Sequence, residues 1–403
     1  MERFTSSLLF FSSSCLIVFS MLLTFSGPTG IVVHAAPPVI WQPTVDMDRV
    51  MSSPDYGMQV FLFWREEVAN RDVTVVEQAG FRWVKQQFAW RDIEGAGKGE
   101  WAWENPDRMM RQIESQNLKV IARLDNQPQW AAPDTELPEI SPPDNLQDYY
   151  DYVYAIASRY KGRIQAYQIW NEPNLAREWG GRAPNPAEYV ELLKVGYKAV
   201  KDADPKAIVI SAGLAPTTRY DDVAMPDSYF VQGMYDAGAT PYFDALGVHA
   251  AGFKSSPDID PAQAAIDPIL TNGDLDDSEL SRVYAFRHVE DIRDLMVKNG
   301  DADKKVVILE FGWTVEPRPE SPYRWHAVTH EEQAAYFTGA YEYAIENWQP
   351  WIGVMNLIYV ANPDWHMDME ETYWSIVYPY YPELRVAPAY EHLKHMTKIP
   401  AVE

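Results

Sequence analysis

Two glutamates stand where they could share one reaction. Glu172 follows the apolar run Ile164-Gln165-Ala166-Tyr167-Gln168-Ile169-Trp170-Asn171, and Glu310 closes Val306-Val307-Ile308-Leu309. If both runs are strands of one closed barrel, the two carboxyls meet over its mouth, a position from which paired carboxyls cleave glycosidic acetals. That cleavage delivers a proton to the departing oxygen while positive charge builds on the anomeric carbon. One carboxyl therefore has to be protonated and the other ionised. Glu172, set among Ile169, Trp170 and Pro173, suits the proton carrier, and Glu310 suits the ionised group that attacks carbon. A gap of about 5 to 5.5 Å between the carboxyls gives retention of configuration, whereas about 6.5 to 9.5 Å admits a water and gives inversion. Either glutamate alone would serve equally well as a salt-bridge partner or loop anchor; the matching positions of the two favour chemistry.

The elements that must hold them recur along the chain as short apolar strands followed by longer amphipathic helices. Eight strands are predicted: Gln59 to Trp64, Trp83 to Phe88, Lys119 to Leu124, Ile164 to Trp170, Ala207 to Ala212, Ala245 to His249, Val306 to Glu310 and Gly353 to Tyr359. Helical patterns separate them at Val68 to Ala79, Pro106 to Gln116, Leu146 to Tyr160, Pro186 to Ala203, Tyr229 to Ala237, Ser278 to Asn299 and Glu331 to Asn347. A last one runs from Ala389 to Met396. Eight alternations predict an α/β fold of the (β/α)8 TIM-barrel type, and runs such as Ala207-Ile208-Val209-Ile210 suit parallel strands buried on both faces. A doubly wound sheet also alternates, but no glycine-rich phosphate loop follows the first strand. Long connections at Ala250 to Glu279 and Ala361 to Leu384, the second rich in Trp and Tyr, would decorate the catalytic face.

Arg3 precedes an apolar stretch from Leu8 to Phe25, with small residues at Ala35 and Ala36. Residues 1–36 read as a secretory signal, with a retained membrane anchor as the alternative, and 37–403 as a single barrel domain. Cys15 is the only cysteine and lies in that leader, so disulfide and thiol chemistry are not expected of the mature chain. The net charge of −24 argues against a polyanion binder and points to a neutral or cationic substrate. The 15 Trp, 24 Tyr and 15 Phe supply core volume and rings on which sugar faces stack.

Trp170-Asn171-Glu172-Pro173 together with Glu310-Phe311-Gly312-Trp313 resembles the signature of the clan of retaining (β/α)8 glycoside hydrolases whose catalytic glutamates end strands four and seven. The wider pattern Tyr167 to Asn174 is most similar to the β-xylosidase and α-iduronidase family and to the cellulase-type family. The resemblance runs from about Gln59 to Met396. It implies Glu172 as acid/base, Glu310 as nucleophile, and Asn171 as an amide bound to the sugar hydroxyl beside the reacting carbon. Relatives often carry a His or Tyr where His249 ends strand six, near the nucleophile; a satisfied core histidine is the other reading. Arg123, at the tip of strand three, is expected to pair with Glu310 and hold it ionised. Cellulase-type relatives place an arginine on strand two, where this chain has Lys85, so the nucleophile's charge partner stays open. Trp90, Trp130 and Trp313 are candidate sugar platforms, with loop packing as the alternative. The strand-eight Trp of the family is replaced by Tyr359, with Trp365 following as the candidate under the reacting sugar.

Zinc spacing, a nucleophile elbow and a nucleotide loop are all absent, and the acidic loop residues Asp258 to Asp277 match no calcium pattern. The expectation is an enzyme that needs no cofactor and no metal. It would take an oligo- or polysaccharide substrate, with no nucleic-acid partner, no membrane association after leader removal, and no oligomeric partner specified. A retaining hydrolase cutting β-linked glycans internally is the first reading. An exo-acting glycosidase, a transglycosylase and a non-catalytic carbohydrate-binding barrel stay open beside it.

Overall fold

Eight parallel strands close into a barrel in the order β1 to β8, each bonded to its sequence neighbours and β8 back to β1, in a computed structural model that describes residues 45–133 and 135–402. The leader expected at 1–36, with Cys15, lies outside the described residues. The strands are β1 Asp55–Val60, β2 Trp83–Gln87, β3 Lys119–Leu124, β4 Ala166–Ile169, β5 Ile208–Ile210, β6 Ala245–Ala251, β7 Lys305–Gly312 and β8 Ile352–Leu357. Helices follow them: α1 Glu66–Gln78, α2 Glu104–Ser115, α3 Leu146–Arg159, α4 Pro186–Ala203, α5 Asp227–Asp236, α6 His288–Lys298, α7 His330–Asn347 and α8 Pro388–His395. This is the (β/α)8 TIM barrel expected. Among the described residues no helix is long and apolar enough to cross a membrane.

Side-chain parity sorts the barrel into layers. Trp83, Ile121, Ala166, Ile208, Ala245, Val307 and Val354 fill the lower interior as one apolar cluster. The alternate residues face the helices, where Val84, Val120, Tyr167, Val209, Leu246, Ile308 and Met355 join the larger core. One step up the strands the interior turns polar, with Gln59, Lys85, Gln168, His249 and Asn356 all buried. Buried polar groups of this kind are costly unless partnered.

Two elements differ from expectation. The first strand runs over Asp55–Val60, four residues ahead of the Gln59 to Trp64 expected, so Phe61 to Trp64 form a loop. There the Leu62 N–H donates to the Gln86 side chain at 2.8 Å instead of to a neighbouring strand. The helix expected from Ser278 begins only at His288, after a 3-10 turn at Leu280–Tyr284. Ala285 is extended, the Tyr284 carbonyl accepts from the Ser255 hydroxyl, and Phe286 drops into the core against Phe311 and Trp313. Burial of that ring outweighs helical continuity.

Candidate active site

β4 stops at Ile169 and the chain turns sharply, with Trp170 at φ 69° and Glu172 at φ 40°. Left-handed backbone costs an L-residue about 1–2 kcal/mol. Three hydrogen bonds hold it: Gln168 Nε2 donates to the Trp170 carbonyl at 2.7 Å, Trp170 Nε1 to the Glu178 carbonyl at 2.9 Å, and the Glu172 N–H to the Gly213 carbonyl at 3.0 Å. Each contributes about 1 kcal/mol, enough with the buried indole to offset the strain. The turn delivers the Glu172 carboxyl to the mouth of the barrel.

Glu310 arrives by a different device. Val307 and Leu309 both belong to the interior cluster, so strict alternation would point Glu310 outward to the helices. The β6–β7 register slips by one residue, from Val248 opposite Ile308 to His249 opposite Glu310. This bulge inserts an extra residue in β7 and re-aims Glu310 inward, while Phe311 packs outward against Phe337 and Tyr341.

The two carboxyls then converge on His249. Its Nδ1 lies 2.9 Å from Glu172 Oε1 and 3.9 Å from Glu310 Oε2. One carboxylate oxygen of Glu172 and one of Glu310 are within 4.8 Å of each other. The imidazole fits because residue 213 is glycine: a Cβ there would sit 2.2 Å from His249 Cδ2 and 2.3 Å from Nε2. Among the described residues Nε2 is buried without a hydrogen-bond partner, and the ring's polar contacts run through Nδ1.

Charge partners separate the two glutamates. Lys85 Nζ, on a side chain 1% exposed, lies 2.7 Å from Glu310 Oε1. Burial opposes a charge on Glu310, but Lys85, then His249 and Arg123, outweigh it and hold the carboxyl down at about 2. Burial likewise lowers the Lys85 ammonium below its ordinary range, with Glu310 as the main opposing influence. Glu172 has Arg177 Nη2 at 3.5 Å on its other oxygen. A third carboxyl, Glu178, is pushed up to about 7 by burial and by the charge of Glu172, with Arg123 and Arg177 opposing. Glu172, His249 and Glu310 are spaced so that they could surround a metal ion. The Lys85 ammonium sits on Glu310 Oε1, so an ion held through Oε2 would lie beside a buried cation, at an electrostatic cost.

The expected residues divide. Glu172, Glu310 and His249 meet, and Asn171 sits beside them, 6% exposed, with Oδ1 accepting from Gln168 Nε2 at 3.2 Å. Arg123 does not pair with Glu310: its Nε donates to Asp125 Oδ2 at 2.5 Å, and it acts on Glu310 only at longer range. Lys85, inward-facing one step above Trp83 on β2, takes that place; Arg123 shares this parity one step above Ile121 on β3 but is engaged by Asp125. Trp90 and Trp313 are fully buried and offer no ring face to a ligand. Trp90 stacks on Tyr152 at 5.0 Å and donates to Glu94, and Trp313 donates to the Ser255 carbonyl at 2.8 Å under a glycine, Gly252, with no room for a Cβ. Trp130 is half-buried, edge-on to Trp90, its N–H bound to the Glu94 carbonyl. Tyr359 and Trp365 remain at the mouth, their rings 5.0 Å apart, joined by Phe61 at 4.9 Å from Trp365. Burial first, then Glu310 and Glu172, raises the Tyr359 phenol well above its ordinary range, so it remains a hydrogen-bond donor. Lys85 as ion-pair partner, Glu178 and Gly213 are the residues that sequence reasoning left without a role; Gly213 carries no local signal.

No family model matches the chain, and no curated protein matches it. Solved structures do match. A family 39 glycoside hydrolase from the gut symbiont Bacteroides cellulosilyticus WH2 superposes with TM-score 0.60 at 18% identity, over 86% of this chain and 64% of that one. A glucosidase from Croceicoccus marinus gives TM-score 0.56 at 12% identity, over 88% and 68%. A GH10 endoxylanase from a sugarcane soil metagenome gives TM-score 0.56 at 15% identity, over 85% and 97%. The chain thus spans less than two thirds of the length of the first of these. At such identities the likeness establishes a shared barrel fold, one carried by glycoside hydrolases of several families.

Proposed function

We propose that the chain is a retaining glycoside hydrolase acting within β-linked glycans by double displacement. The observation that carries the reading is the approach of one Glu172 oxygen to one Glu310 oxygen within 4.8 Å, with a buried lysine ion-paired to Glu310. A closest approach this short accords with the closely set carboxyls of retaining enzymes, about 5 to 5.5 Å apart, better than with the about 6.5 to 9.5 Å of inverting ones. Glu310, held ionised, attacks the anomeric carbon as the glycosidic C–O bond breaks and Glu172 passes its proton to the leaving oxygen. Glu172, now a carboxylate, takes a proton from water, whose oxygen displaces Glu310 from the anomeric carbon. His249 Nδ1, 2.9 Å from Glu172 Oε1, orients that carboxyl over the reacting sugar. Asn171, anchored through Oδ1, turns its amide nitrogen to the sugar, and Trp365 with Tyr359 and Phe61 walls the adjoining subsite.

Internal cleavage is favoured by the spread of rings on several loops, and the acidic balance of the chain disfavours polyuronates. Export with removal of residues 1–36 is part of the same proposal, checked by N-terminal sequencing of secreted protein. The decisive experiment is a panel of defined β-linked oligosaccharides followed by NMR of the first-formed anomer. Retained configuration with Glu310→Gln and Glu172→Gln inactive supports the assignment. An inverted product overturns the mechanism, and binding without turnover in the intact protein overturns catalysis.

A further inference from the structure

A cavity opens beside the catalytic centre at the ends of β1, β2 and β8, bounded by Phe61, Phe63, Trp64, Asp92, Asn362 and Asp364. β4, which carries the proton donor, lies on the opposite side of the barrel. Glu172 protonates the leaving group, so the leaving half of a substrate lies toward β4 and the retained half extends toward this cavity.

Trp64 is 64% exposed, its ring 4.7 Å from Phe63 and edge-on to it. A large exposed indole is held rigidly here. Arg108, buried on α2, donates to the carbonyls of Leu62, at 3.1 Å, and Phe63, while Gln86 accepts the Leu62 N–H at 2.8 Å. Three hydrogen bonds from buried side chains thus fix the backbone that presents the ring, the arrangement of a preorganised binding platform rather than a mobile loop. The carboxylate of Asp92, half-buried on the cavity wall, accepts no hydrogen bond from the described residues; the nearest cation among them, Arg91, is 3.9 Å away. Burial accordingly raises its carboxyl. The rings of Phe61, Trp365 and Tyr359 continue from this cavity to the glutamates.

We propose that Trp64 and Asp92 form a distal subsite for the retained end of an uncharged β-linked oligosaccharide. The apolar face of a sugar stacks on the exposed indole, its hydroxyls donate to Asp92 and Asp364, and the two carboxylates reject uronic acids. The inference rests on the hydrolase reading for its direction but not for its existence.

The test uses 4-nitrophenyl β-glucosides, β-xylosides and β-mannosides carrying one to four sugars. The aryl group fills the leaving side, so glycone length alone maps the cavity. In the intact protein kcat/KM climbs about tenfold at the length that reaches Trp64, equivalent to about 1.4 kcal/mol. Trp64→Ala and Asp92→Asn remove that step and leave the shorter glycosides unchanged. A kcat/KM independent of length, or a step that survives both substitutions, overturns the subsite while leaving the hydrolase reading intact. If none of the glycosides is turned over, the hydrolase reading fails by itself. Calorimetry with cellotetraose, xylotetraose and mannotetraose then decides the subsite: affinity lost on Trp64→Ala supports it, and equal or absent binding overturns it.

Discussion

Replacing Lys85 by methionine keeps the length of the side chain and removes the charge that faces Glu310 at 2.7 Å. In the intact protein Glu310 is held at about 2 against an ordinary value of 4.5, which corresponds to roughly 3 kcal/mol favouring the ionised form. Without Lys85, the strongest influence opposing burial is removed, so the carboxyl rises toward its ordinary value. The sign follows from linkage: a depressed carboxyl stabilises the fold above its unfolded value, and that contribution is lost as pH falls through the folded one. The ion pair of the intact protein therefore persists to about pH 2, and in the variant it is gone. At the ordinary value of 4.5 about a quarter of the molecules would carry the ionised nucleophile at pH 4, so the expected fall in kcat/KM between pH 7 and pH 4 is on the order of fourfold. The assay is kcat/KM against pH from 3 to 8, with unfolding followed in parallel by circular dichroism. Lys85→Arg keeps the charge and should leave the acid limb in place even if kcat drops. An acid limb that stays put in Lys85→Met, with the fold intact, would show that Lys85 does not set the ionisation of Glu310.

The remaining expectations concern packing and metal. Gly213→Ala drives a methyl into His249 and should lower kcat by about a hundredfold, the scale of a misplacement near 1 Å, while KM changes little; unaltered kinetics would remove His249 from its proposed position. Trp90→Ala and Trp313→Ala should each destabilise the fold by about 3–5 kcal/mol in denaturant titration, because both indoles are wholly buried. Trp365→Ala should instead raise KM with a small change in stability; the opposite pattern would exchange their roles. Dialysis against a chelator should leave activity unchanged, since Lys85 already neutralises Glu310; activity lost and restored by one divalent cation would assign the Glu172, His249 and Glu310 cluster to a metal.

The barrel was legible along the chain because its signals are local. Apolar runs alternate with helical periodicity, and α4 begins and ends where Pro186 and Ala203 mark it. Glu172 was legible for the same reason, sitting in a short strand-to-turn pattern. Arg123 against Lys85 was not, because choosing between two cations on adjacent strands requires the three-dimensional distance, and Arg123 is captured two residues away by Asp125. The tryptophans show the same limit: Trp90, Trp313 and Trp365 all follow strands, yet the first two are sealed in by helices distant in sequence and the third is left at the mouth.

Residue order alone thus specified the alternation of elements and the chemical types at the strand ends, since propensity and periodicity act over a few residues. Which carboxyl faces inward, and what charge meets it, came from the folded barrel. Simple alternation would have sent Glu310 to the helices, and a one-residue slip between β6 and β7 turns it toward Lys85 and His249. A bulge of this kind is settled by pairing with a neighbouring strand far away in the chain, where packing and hydrogen bonding outweigh local preference.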